Sequence, residues 1–281
     1  MEKHTVIYEP NKYIKEGFLF LWKQMFHELR ISFELGLRLF LRDFSAKYKQ
    51  SLLGIFWVIL IPLFAVGVFV AMNRSGILTI KSTGTPYPVF ALFGMTIWSL
   101  FTGITSKISG VVGETGGLVT KINFPRIALI YSPVFTSFLD LFIRSVILTI
   151  VMAIYKVAPS FDILLLPFTL LPLLFFSIGI GLFLSIIGAV FKDIPMFINM
   201  FFGIAMLLTP VMYPLPEEGI LYKINIYNPL YYFIEIPRSV FFHGKFDHSI
   251  GFMIFTLISL FIFLAGWRFY QVAMARIVEK I

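Results

Sequence analysis

The sequence predicts an all-α integral membrane protein with six transmembrane helices, an N-terminal amphipathic interfacial helix, and short re-entrant helices between spans five and six. Three observations lead there. Of the 281 residues, 58% are hydrophobic and only 14% charged, whereas a water-soluble domain carries about 25% charged residues. Mean hydropathy is +0.89. The apolar residues gather into charge-free runs of membrane length. A soluble enzyme and a disordered chain are both excluded by this composition. No cysteine is present, which removes disulfides, thiolate metal sites and Cys nucleophiles.

Residues 1–50 read as a cytoplasmic N-terminal region. The apolar stretch 18–22 is too short for a cleaved signal. Over 30–50, Arg30, Glu34, Arg38 and Arg42 recur every four residues on one face, while Phe33, Leu37, Phe40, Leu41, Phe44 and Tyr48 recur at three- and four-residue spacing on another. Such a helix lies along the membrane surface, with Phe33, Phe40 and Phe44 in the acyl boundary and Arg38 and Arg42 toward water.

Residues 51–270 form the transmembrane domain. A hydrocarbon core of about 30 Å needs roughly 20 apolar residues per helix. Runs of that order occupy 52–72, 89–106, 127–155, 163–191, 196–216 and 249–267. The third carries only Asp140 and Arg144, which stand four apart and share a face. Charges there are costly, so the pair reads either as mutual neutralisation at a helix–helix contact or as a polar contact on a substrate path. The fourth run exceeds the need and is expected to tilt. A short turn at 192–195, broken by Pro195, leads into the fifth. Between spans five and six, Pro214, Pro216, Pro229 and Pro237 interrupt an aromatic-rich stretch, too broken to span and too apolar for an exposed loop. Short helices dipping into the membrane, shielded by protein, account for it. Residues 271–281 form a cytoplasmic tail.

Orientation follows from the basic residues. Of 23 Lys and Arg, 16 fall in the first 50 residues, the loops on that side and the tail, and 6 on the other side. This bias places both termini in the cytoplasm. The net charge of +8 belongs to the same pattern. No basic stripe with interleaved aromatics lies outside the spans, so nucleic acid is not expected as a partner.

Motifs for chemistry are missing. The Gly-rich stretch 110–117 (GVVGETGG) lacks the Gly-Lys-Ser/Thr ending of a phosphate-binding loop. His4, His27, His243 and His248 show no metal spacing, so no metal site is expected. No nucleophile elbow is present.

Residues 41–57 (LRDFSAKYKQSLLGIFW, with Pro62 following), 118–126 (LVTKINFPR), 209–214 (TPVMYP), and Asn228–Pro229 with Arg238 downstream stand in this order. The chain thereby resembles ABC-2 type permeases that export polysaccharides such as O-antigen, capsule and teichoic acid. The resemblance covers about residues 38–270. It implies a multi-pass transport subunit of a bacterial inner membrane that is not itself an enzyme and binds no cofactor. ATP and Mg would be used by a separate cytoplasmic ATP-binding-cassette subunit. A homodimer would enclose the path of a lipid-linked polysaccharide, O-antigen before capsule or teichoic acid. The segment 110–126, with Glu114, Leu118, Lys121 and Arg126, would dock on the ATPase. A membrane-embedded sugar transferase would need clustered acids, His or Ser at a membrane face, and a secondary carrier more intramembrane charges.

A sugar polymer is apolar on its ring faces, so a sliding path is expected to present aromatic planes. Phe56, Trp57 and Phe69 on span one and Tyr213, Tyr231 and Tyr232 near the outer exit are the candidates. The competing role for each is lipid contact or the interfacial aromatic belt.

Overall fold

The computed structural model describes residues 18–49, 56–75, 84–119, 125–191, 193–246 and 249–278, and among these all regular structure is helical. In chain order the helices are α1 (Phe18–Lys49), α2 (Phe56–Arg74), α3 (Tyr87–Val119), α4 (Ala128–Tyr155), a 3-10 turn (Phe161–Leu165) leading into α5 (Leu166–Val190), α6 (Ile194–Leu208), α7 (Ile220–Ile226), α8 (Pro229–His243) and α9 (Ser249–Val278).

Four helices are long and apolar enough to cross a membrane: Tyr87–Glu114, Ala128–Tyr155, Phe161–Val190 and Ser249–Met274. Two apolar helices are shorter, Ile59–Met72 within α2 and Ile194–Leu208. The fifth apolar run of the sequence was expected to continue to 216. Its helix instead stops at Leu208, because Pro210 lacks an amide donor and disfavours helix at Thr209.

The centre of the molecule is α3. It packs against α5, α4, α6, α2 and α8, and α5 in turn packs against α9. Within a bilayer, such contacts rest on close packing more than on exclusion of water. The α5–α9 contact illustrates this. A Cβ at Gly179 would stand 2.8 Å from the Phe263 Cα, so only glycine lets these backbones approach so closely.

α3 is 33 residues long, about 50 Å at 1.5 Å per residue, and outlasts a ~30 Å hydrocarbon core. The stretch 110–119, expected as part of a loop, is therefore the closing turns of this helix. The four glycines between 110 and 117 suggest a break, yet Gly110 packs beside Pro195 of α6 and Gly113 beside the Gly188 carbonyl of α5, so tertiary contact carries the helix through.

α1 extends well beyond the expected 30–50, since it begins at Phe18. It has three sides. Met25, Glu28, Ser32, Gly36 and Leu39 are buried against α4 and α9. Tyr131 of α4 donates to the Leu29 carbonyl at 2.7 Å, Ser132 donates to Asp43 at 2.7 Å, and Gln271 of α9 donates to Glu28 at 3.2 Å. Beside this docked side runs an open apolar flank, Phe26, Phe33, Leu37 and Leu41. The third side carries Glu34 and Arg38, an exposed ion pair at 2.7 Å, and Arg42, which pairs with Asp43 at 2.7 Å.

The aromatic segment after α6 holds α7 and α8. α8 starts where Asn228 accepts from the Leu230 amide and Pro229 takes the first helical position, the favoured chemistry of a helix start. It ends on Gly244 at φ 63°. From Tyr231 to Phe241 it is buried except for Glu235. Its rings meet α3 (Phe241 on Phe93), α5 (Phe233 on Phe176) and α9 (Tyr232 on Phe255).

Candidate functional site

The unusual chemistry sits between α3 and α4, partly open to the outside of the bundle. Roughly midway along α4, Asp140 carries a negative charge. Its partner is Lys107 of α3, whose Nζ lies 2.8 Å from Asp140 Oδ2 and 3.2 Å from the Ser137 hydroxyl. The direct ion pair of Asp140 thus crosses between helices. Arg144, one turn farther along the same face, makes no ion pair, and its Nε has no hydrogen-bond partner among the described residues. Side chains that share a face of one helix need not meet when a cation from the neighbouring helix reaches the carboxylate first. The second apolar run of the sequence ends at Ser106. The helix continues past it, and so Lys107 becomes a third charge within a span.

Around Lys107 the surface of α3 is polar. Ser99, Thr102, Gly103, Ser106 and Lys107 are all half-exposed and fall on one side of the helix at three- and four-residue spacing. Ser106 bonds Asn199 of α6 at 2.7 Å, and Thr102 donates to the Trp98 carbonyl at 3.1 Å. Glu114 lies farther along the same side and is exposed.

In the other direction the polar side of α3 is covered. Gly94 receives the Val211 carbonyl and the Arg238 guanidinium so closely that a Cβ there would collide with both. Arg238 is buried at 2% exposure. It donates to Glu235 at 2.7 Å and to the Val211 carbonyl at 2.6 Å, and it stacks 3.8 Å over the Phe90 ring. Around this clamp, Asn228 donates to Thr209 and to Asn225, both at 3.0 Å, and Asn225 donates to the Leu208 carbonyl at 2.9 Å. The Thr-Pro-Val and Asn-Pro motifs are therefore one structure. They hold the irregular backbone after α6 by side-chain bonds, which an apolar setting requires.

The aromatic candidates are dispersed. Phe56 and Trp57 stand half or more exposed on the first turn of α2. The side chain of Phe69 lies outside the described residues. Tyr213 is half-buried and donates to the Leu207 carbonyl at 2.8 Å. Tyr231 and Tyr232 are buried, the second donating to the Ile226 carbonyl at 3.0 Å. Neither presents an open ring face.

Of the expected coupling residues, Lys121 and the Leu118 side chain lie outside the described residues. Arg126 is half-buried, and its carbonyl accepts from Tyr270 of α9 at 3.1 Å. On α1, Phe33 meets the rings of Tyr131 and Phe135, and Phe40 meets Phe44 and Phe135. The Arg-Asp motif acquires a physical reason here: Arg42 holds Asp43, and Asp43 ties α1 to Ser132.

These features sit on a chain whose residues 35–242 match the ABC-2 type transporter family. The chain belongs to that family. The ABC-2 chain is similar to an O-antigen export system permease protein, RfbA, of Myxococcus xanthus, at 22% identity over 244 residues, covering 85% of this chain and 92% of the relative. It is similar to the polysialic acid transport protein KpsM of Escherichia coli at 26% over 252 residues, covering 84% and 93%. The RfbA permease of Klebsiella pneumoniae matches at 24% over 243 residues, covering 84% and 92%. The ABC-2 chain is a multi-pass membrane transport subunit rather than an enzyme, and its family implies an ATP-binding partner.

Proposed function

We propose that this chain is the permease subunit of an ATP-driven exporter that moves a lipid-linked polysaccharide, O-antigen in the first instance, across the inner membrane. One observation carries the reading: the chain aligns over more than nine-tenths of permeases named for O-antigen and for polysialic acid. The polysialic acid relative equally favours a capsular polymer as cargo. Chemical analysis of the polymer retained in cells lacking the chain distinguishes the two.

Two copies enclose the path, with α2 and α6 at the junction. Both helices pack on α3 and leave long apolar faces open, Phe64 and Val68 on α2 and Met200 and Ile204 on α6. Counting these two gives six spans with both termini cytoplasmic. α6 has 15 residues and rises about 22 Å, short of a ~30 Å core. In this reading α7 and α8 are the re-entrant helices that complete that part of the wall. The exposed end of α3 at Glu114, with 118–126 beyond it, contacts the ATPase, and α1 lies in the interface on its open apolar flank. The chain binds no cofactor, and its partner uses ATP and Mg.

Purification of the tagged chain from its native membrane tests the partnership. A separately encoded ATP-binding-cassette ATPase in fixed ratio is expected. A chain that copurifies with none, in membranes that still export polymer, contradicts it.

A further inference from the structure

The Lys107–Asp140 pair is not sealed inside the bundle. Its side chains are 30% and 21% exposed, at a height where α3 and α4 both lie within their membrane-spanning lengths. Arg144 is half-exposed on the same face of α4, with an unpartnered Nε. Charged heads within a span are costly against hydrocarbon, and such residues face a protein interior or water. Three charges and a row of hydroxyls on one face favour a polar medium outside it. Water or a polar cargo leaves all three solvated.

The neighbouring hydroxyls have the same character. Ser99, Thr102 and Ser106 form a half-exposed row on α3. Each hydroxyl is both donor and acceptor. Lys107 and Arg144 add donors and Asp140 adds acceptors. The row opens toward the end of α3 that carries Glu114 and stops below Gly94, where Val211 and Arg238 close over the helix.

We propose that Ser99, Thr102, Ser106 and Lys107 of α3, with Asp140 and Arg144 of α4, form the hydrated wall along which the hydroxyls of the glycan pass. This rests on the polysaccharide-export reading and changes the chemistry of the path. Contact is through many weak, water-exchangeable hydrogen bonds, rather than through ring stacking alone. A row of exchangeable bonds grips a hydroxyl-rich polymer without a single deep trap.

The absence of cysteine makes the test direct. Single variants Ser99→Cys, Thr102→Cys and Ser106→Cys, and the outward-facing controls Phe142→Cys and Val146→Cys, are made in the full chain with its ATPase. Opened membranes are treated with a permanently cationic methanethiosulfonate, which reacts with the thiolate. Burial in lipid raises the thiol pKa, each unit costing a factor of ten in thiolate, so the three α3 positions are expected to react at least ~10-fold faster than the controls. Lipid-linked polysaccharide from the same cells is expected to slow them several-fold. Rates equal to the controls, in membranes where the wild-type exporter moves polymer, overturn the wall while leaving the export reading standing. Fast labelling that polysaccharide never slows overturns the glycan assignment. A wild-type pair that moves no polysaccharide removes the export reading and this inference with it.

Discussion

Lys107 and Asp140 illustrate how much a single charge depends on its neighbour. Breaking a partly solvated pair removes an interaction worth about 0.2–1 kcal/mol, with both side chains still in contact with the polar medium. Lys107→Met or Asp140→Leu alone is therefore expected to lower the yield and thermal stability of folded protein. The double variant is expected to lose less than the sum of the two single losses, since the coupling between the charges is lost only once. Detergent thermal-shift curves of the four proteins check this. A double variant that loses the sum of the two single losses would show that the 2.8 Å pair carries no coupling. A second residue-scale test is Gly94→Ala. Its Cβ cannot coexist with the Val211 carbonyl and Arg238 as placed, so a loss of about 1–3 kcal/mol is expected, measured in the same way. The sequence made Asp140 and Arg144 visible because they interrupt an apolar run. It hid Lys107 because a charge at the edge of a run looks like the start of a loop, and it hid the partnership because pairing across helices leaves no periodic trace. The hydroxyl row was legible in principle, as Ser99, Thr102 and Ser106 repeat at helical spacing.

At the scale of elements, α1 combines a docked side with an open apolar flank. Spin labels at Phe26 and Phe33 are expected to be accessible to oxygen and shielded from a water-soluble relaxant. Labels at Arg38 are expected to show the reverse, because its side chain is mostly exposed beside Glu34. Replacing Phe33, Phe40 and Phe44 by Ser removes up to about 1.5–3 kcal/mol of burial per ring and is expected to impair export. Uniform aqueous exposure of all labels in the wild type would rule out an interfacial helix. α3 makes its own prediction. Its last turns carry Glu114 as a continuous helix, a rigid lever rather than a slack loop. Glu114→Lys is expected to preserve folding and to abolish export-linked stimulation of the partner's ATPase; normal stimulation in that variant would dismiss the lever. Here sequence reading located α4, α5 and α9 well, because each is one long apolar run, and it found α1 only from residue 30 onward although the helix begins at Phe18. Over 110–119 the short helix that Glu114, Leu118 and Val119 suggest is the end of α3 itself, carried past its glycines by packing against Pro195 and Gly188, and the fifth apolar run outlasts its helix, where Pro210 argues against helix.

At the scale of the whole molecule, the fold is a bundle around α3 with a polar face open at one end and a clamp of Val211, Arg238 and Gly94 at the other. Composition and apolar runs already demanded a membrane bundle, since so few charges cannot cover a water-exposed surface. What composition does not encode is which helix stands at the centre: α3 and α9 have similar apolar lengths, yet α3 alone is enclosed on several sides while α9 lies at the periphery. As proposed above, this chain carries polysaccharide across the membrane for a partner ATPase. The most direct test removes the chain from cells and follows newly labelled lipid-linked polysaccharide. Accumulation of polymer on the cytoplasmic side, loss from the surface, and recovery when the chain is restored are predicted. Undiminished surface polysaccharide in cells without the chain would contradict the claim.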